Sequence, residues 1–137
     1  EDIKTWLIKK DLEFTQQDVD LIYDYLGGSV AHIKKLIDYK FRYNSLKKQL
    51  EEMTEMAENE IKFTFKEARK SNKDYLIDAF KNIVKDILKK GYSNRDSKED
   101  EEAIDFFCEK EILFYNPVKN ITTANSRIYV KAFERIL

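Results

Sequence analysis

Proline occurs once and glycine three times in 137 residues. That leaves too few turn formers for a sandwich of many short strands, so helices should dominate. The only cysteine, Cys108, excludes an intramolecular disulfide and points to a reducing, cytoplasmic setting. One histidine, His32, and that cysteine cannot supply the roughly four nitrogen or sulfur ligands of a zinc site. No run approaches the ~18 apolar residues that cross a bilayer, and no secretory apolar segment is present. Neither sign of charge prevails. Twenty-five Lys and Arg stand against 26 Asp and Glu, so bulk charge gives no attraction to nucleic acid or membranes.

What is present fits a globular helical protein: 42% hydrophobic, 13% aromatic and 37% charged residues. The aromatic content is too high for a disordered chain, so the charges read as solvated helix faces. The chain starts at Glu1 without a methionine and enters an amphipathic segment at once, which is expected of a piece of a longer protein.

Apolar spacing divides the chain into segments. Ile3, Trp6 and Leu7 share one face of a short first helix. Thr15 and Asp18 form a capping box for a helix carrying Val19, Ile22, Tyr23 and Leu26. Gly27 and Gly28 stop it, and Ser29 is placed to cap the next helix, with Val30, Ile33, Ile37 and Phe41 inward. The stripe changes phase around residues 42–45. It then runs through Leu46, Leu50, Met53, Ala57, Ile61, Phe65 and Ala68, as one long helix or a bent pair. Strand preference in residues 63–65 competes locally, but the longer pattern should win.

Ser71 or Asn72 is expected to cap a further helix, with Leu76, Phe80, Ile83 and Ile87 inward and Gly91 as its stop. Ser97 and Asp100 form a second capping box, opening a helix with Ile104, Phe107 and Cys108 on its apolar side. Residues 112–115, bounded by Asn116 and Pro117, read as a strand, with residues 121–123 as its partner. Ser126 is expected to cap a last helix burying Ile128, Ala132, Phe133 and Ile136. Helix, helix, hairpin and closing helix give the order of a small winged-helix unit.

Catalytic patterns are missing. A phosphate-cradling loop needs clustered glycines followed by Lys and Ser or Thr, whereas Gly27 and Gly28 are followed by Ser29 and Val30. That pair is better explained as helix capping. His32 reads as a surface or edge-of-core residue. Cys108 reads as a small packed hydrophobe, its thiolate disfavoured by Glu109 and Glu111. No metal site and no catalytic residues are assigned.

Charge is unevenly distributed. Residues 96–111 hold eight acidic side chains against Lys98 and Lys110, which would repel a phosphate backbone from the helix before the hairpin. Residues 60–95 hold ten Lys or Arg against five Asp or Glu. Lys62, Lys66, Arg69, Lys70 and Lys73 could form a basic patch for nucleic acid. The plainer reading is one solvated helix face, or pairing with the acidic segment inside the fold.

Two stretches carry a family resemblance. "LIYDYLGGSVAHIKKLIDYK" (residues 21–40) resembles the helix, Gly-Gly turn and helix in the lid of archaeal-type AAA+ ATPases. "AIDFFCEKEILFYNPVKNITTANSRIYVKAFERIL" (residues 103–137) is similar to that family's terminal segment, through residues 112–117 and Ser126-Arg127-Ile128. The resemblance implies a mostly α fold: a helical lid bundle, residues 1–59, then a winged-helix-like unit, residues 60–137, with one short two-stranded β-hairpin. It also implies a parent ATPase whose phosphate loop and metal-binding acids lie upstream, with ATP and Mg as the parent's ligands and its N-terminal ATPase domain as this part's partner. Val30 stands where the family usually has proline, and no arginine follows Gly28 until Arg42, so no nucleotide-sensing arginine is assigned in the lid. Gly27 and Gly28 are then the lid turn. The alternatives are a stand-alone winged-helix DNA-binding regulator and a helical protein-interaction module.

Overall fold

The computed structural model describes residues 14–38 and 45–137. The expected helix around Trp6, and Phe41 and Arg42, lie outside the described residues. Among these the fold is mostly α. Its order is α1 (Gln16–Leu26), α2 (Val30–Asp38), α3 (Leu46–Lys70), α4 (Tyr75–Lys90), α5 (Lys98–Glu109), β1 (Leu113–Asn116), β2 (Ile121–Ala124) and α6 (Arg127–Ile136).

Both capping boxes form. The Thr15 hydroxyl accepts from the Asp18 N–H while the Asp18 carboxylate accepts from the Thr15 N–H. Ser97 and Asp100 repeat the exchange at α5. Each box satisfies two helix-end donors that have no partner within the helix. Ser45 opens α3 by accepting from the Lys48 N–H, so the phase change in the apolar stripe coincides with a new helix start. Residues 63–65 are helical, as the longer period requires. Leu50, Ala57, Ile61, Phe65 and Ala68 are all buried.

Two expected caps act differently. Ser71 and Asn72 do not cap α4, which has Asp74 at its N-cap position without a side-chain bond. They close α3 instead. The N–H of Lys73 donates to the Ala68 carbonyl and the N–H of Asn72 to the Arg69 carbonyl, with Asn72 at φ 58°. This is a Schellman closure, and asparagine tolerates its left-handed position better than most residues. Ser126 stands at the N-cap position of α6 but makes no side-chain cap bond. Its Oγ is buried and has no hydrogen-bond partner among the described residues.

The core is one apolar cluster shared by every described helix. At its centre Phe80 of α4 stacks on Phe107 of α5, centroids 4.0 Å apart. Phe65 of α3 meets both rings edge-on, and Phe133 of α6 meets Phe80 edge-on. Edge and offset geometries are the favourable ones for aromatic quadrupoles, so four helices are fixed against one another at one point.

The two strands pair antiparallel, from Leu113 opposite Ala124 to Asn116 opposite Ile121. The Asn116 side chain accepts from the N–H groups of Val118 and Lys119 and so holds the hairpin turn. Ser93, in the loop after α4, adds a third pairing: it exchanges two backbone hydrogen bonds of 2.8 Å with Thr122. The Ser93 hydroxyl donates to Asp86, which Arg95 also contacts at 2.9 Å. The hairpin is thereby tied to α4.

Candidate functional site

The Gly-Gly turn after α1 lies against the start of α6. Gly27 takes φ 58° and ψ −140°, a combination essentially reserved for glycine. Its N–H donates to the Tyr23 carbonyl and ends α1. A Cβ on Gly27 would stand 3.0 Å from the Cβ of Arg127. Gly28 has no positive φ, and nothing lies within 4 Å of a Cβ there. Of the pair, only Gly27 requires glycine.

Arg127, the first residue of α6, lies against this turn. Its Nε donates to the Asp24 carbonyl at 2.8 Å, and its guanidinium reaches the Asp24 carboxylate at 3.3 Å. That carbonyl is one of the last four of α1, which a helix leaves without internal partners. A cation there also complements the negative end of the helix dipole. Lys131, one turn along α6, donates to the same carboxylate at 2.8 Å and lies 4.8 Å above the Tyr25 ring. The Lys131 hydrogen bond, with Lys131's charge and the Arg127 contacts behind it, outweighs partial burial and holds the Asp24 carboxyl below the usual range.

On the other side of the turn, Ser29 accepts from the His32 N–H and its hydroxyl lies 2.8 Å from His32 Nδ1. Burial, aided by Lys35 and opposed by Glu60, lowers the histidine's proton affinity. The ring is thereby packed against the start of α2 beside Ser29. Nearby, Tyr129 of α6 donates a short hydrogen bond to Glu60 of α3. Burial first, and that bond second, push the tyrosine well above its ordinary pKa.

The basic residues of the expected patch are divided. Lys62 pairs with Glu58 at 3.2 Å and Lys73 with Glu102 at 3.0 Å. Lys66, Arg69 and Lys70 are exposed and have no ion-pair partner among the described residues. Lys73 with Glu102 is one ion pair between the basic and acidic segments, while Lys110 with Glu67, at 2.7 Å, joins the end of α5 to α3 with the opposite order of charge. Cys108 is half-buried, and burial, with Asp105 adding, pushes its thiol up. No group of three or more metal-ligating side chains occurs among the described residues. None of the described helices is long and apolar enough to cross a membrane.

The roles of Asp24, Arg127 and Lys131 were not visible in the sequence. Their only signal was the Ser-Arg-aliphatic start of α6, which carries no hint of what the arginine touches.

No family model and no solved structure matches the chain. Curated proteins do, among them three of Methanocaldococcus jannaschii. "Uncharacterized ATP-binding protein MJ0632" is 26% identical over 132 residues, covering 94% of this chain and 35% of the relative. "Uncharacterized ATP-binding protein MJ0147" is 28% identical over 133 residues, covering 91% and 36%. "Uncharacterized ATP-binding protein MJ1609" is 30% identical over 130 residues, covering 89% and 34%. The chain spans about a third of the length of the curated relatives it matches.

Proposed function

We propose that this chain is the lid and winged-helix portion of an ATPase resembling the archaeal AAA+ type, without catalytic chemistry of its own. Its task is to couple the nucleotide state of the parent to a partner. One observation carries the reading: the Gly27 turn of the lid stretch is seated on Arg127, at the start of the terminal helix. A movement of α1 and α2 over nucleotide would therefore be felt at once by α6. The relatives' names, which speak of ATP binding, and the third of their length that this chain matches support placing the nucleotide elsewhere in a longer polypeptide. By this reading the lid (residues 1–59) and the winged-helix unit (residues 60–137) share α3 as a common spine, since that helix runs unbroken through their boundary.

In such a parent, ATP and Mg are held by the upstream ATPase domain, and a lid that closes on them shifts a population between open and closed states. A protein partner suits the winged-helix unit better than DNA does. The helix that precedes the hairpin presents Glu99, Glu101 and Asp105 to solvent, where a groove-reading helix needs cations.

Isothermal titration with MgATP tests the division of labour. The longer polypeptide containing this chain should bind, and the 137-residue chain alone should not. Binding by the isolated chain, or a longer polypeptide indifferent to nucleotide, would overturn the proposal.

A further inference from the structure

Helix α3 carries a second pattern on the side away from the core. Residues 51–60 contain five glutamates and no cation, whereas residues 61–70 contain four cations and one glutamate. At 100° per residue, Glu52, Glu55, Asn59, Phe63, Lys66 and Lys70 fall on one stripe, opposite the buried Leu50, Ala57, Ile61 and Ala68. Two large apolar side chains interrupt it near the middle: Met56 is 53% and Phe63 is 62% exposed. They border an open groove of about 610 Å³ whose far wall is Lys110 and Ile112. Exposed apolar groups framed by charge mark an interaction surface more often than isolated ones do.

The order of charge selects the occupant. A nucleic-acid backbone lying along this stripe would meet the cations but also the glutamates. A uniformly acidic helix would be repelled by the first half, a uniformly basic one by the second. The partner that matches both halves is the same stripe turned end to end. We propose that α3 pairs antiparallel with α3 of a second copy of this chain, about a two-fold axis between Asn59 and Lys62. Such an isologous contact is self-complementary by symmetry. Glu55 of each copy then faces Lys66 of the other, Glu51 and Glu52 face Lys70 and Arg69, and Phe63 of each copy packs beside Met56 and Asn59 of the other. The helix is about 37 Å long, long enough for both halves to engage at once. Within one copy Glu55 and Lys66 are eleven residues, about 16 Å, apart along the axis, so they do not satisfy each other.

Charge exchange tests this directly. Sedimentation equilibrium of the chain at low salt should show a monomer–dimer equilibrium that weakens as salt rises. Glu55→Lys and Lys66→Glu should each weaken the dimer about tenfold, because each places like charges opposite one another twice. An equimolar mixture of the two variants should associate again, since every 55–66 pair across the axis is then complementary. Phe63→Ser should weaken the dimer without shifting the thermal midpoint at dilution, because the ring it removes is exposed. A chain that stays monomeric at millimolar concentration, single reversals that leave the dimer unchanged, or a mixture that fails to associate would each overturn the proposal. Because the readout is association and not nucleotide binding, it stands or falls apart from the ATPase reading.

Discussion

The guanidinium Nε of Arg127 donates to the main-chain carbonyl of Asp24 at 2.8 Å, across 103 residues of sequence. This one bond ties the last turn of α1 to the beginning of α6. It also explains why the side chain missing at Gly27 matters: the arginine's own Cβ occupies the space a Cβ there would approach.

Substituting the two glycines separates their roles. Gly27→Ala is expected to lower stability by about 1–3 kcal/mol, because alanine must adopt a glycine-only backbone geometry and press on Arg127. Gly28→Ala should be near neutral, as the position is open and its φ is not positive. Urea denaturation of both variants at neutral pH measures the difference; equal losses would contradict this description of the turn.

The Asp24 carboxylate gives a small, pH-dependent contribution. Its side chain is 51% exposed, so Asp24→Asn should cost less than about 1 kcal/mol at pH 7. Its folded-state pKa lies below the unfolded one. The stabilisation is therefore fully present above about pH 4, the ordinary carboxylate range, and disappears as pH falls through the lowered folded value. Asp86 acts in the same direction: burial alone would raise it, but the bonds from Ser93 and Arg95 outweigh that and hold it low. Denaturation curves of wild type and Asp24→Asn should converge at acid pH and separate above it.

Removing a ring from the aromatic centre should be the costliest change. Phe107 is fully buried and stacked on Phe80, so Phe107→Ala is expected to lose about 3–5 kcal/mol. That is a large part of the ~5–15 kcal/mol that holds a domain together. Thermal unfolding followed by circular dichroism gives the value.

Much of this fold was legible because its signals are local. Thr15 with Asp18 and Ser97 with Asp100 lie three residues apart and act within one helical turn. The stripe from Leu46 to Ala68 has a period that outweighs the strand preference of residues 63–65. The misreading at Ser71 and Asn72 has a physical source: small polar residues serve helix starts and, for asparagine, left-handed helix ends, and sequence alone does not say which. The contacts that position the candidate site are of another kind. Asp24 with Arg127, Glu60 with Tyr129 and Ser93 with Thr122 join residues brought together by packing, and no spacing rule announces them.

Glu111 offers a stabilising change. It holds φ 60° at the end of α5, where its N–H donates to the Cys108 carbonyl and the Ile112 N–H to the Phe107 carbonyl. This is a Schellman closure with a side chain where glycine is preferred. Glu111→Gly should raise stability by about 0.5–1 kcal/mol, since left-handed backbone costs an ordinary residue about 1–2 kcal/mol. A lower urea midpoint in the variant would show that the glutamate side chain has a compensating contact.

In the proposed function, the lid turn and the terminal helix respond together to nucleotide bound elsewhere in a longer ATPase. Amide hydrogen exchange on that longer polypeptide, with and without MgATP, tests it most directly. The account predicts that protection changes in concert at residues 27–33 and 127–131. A change confined to one of these segments, or none in either, would contradict it.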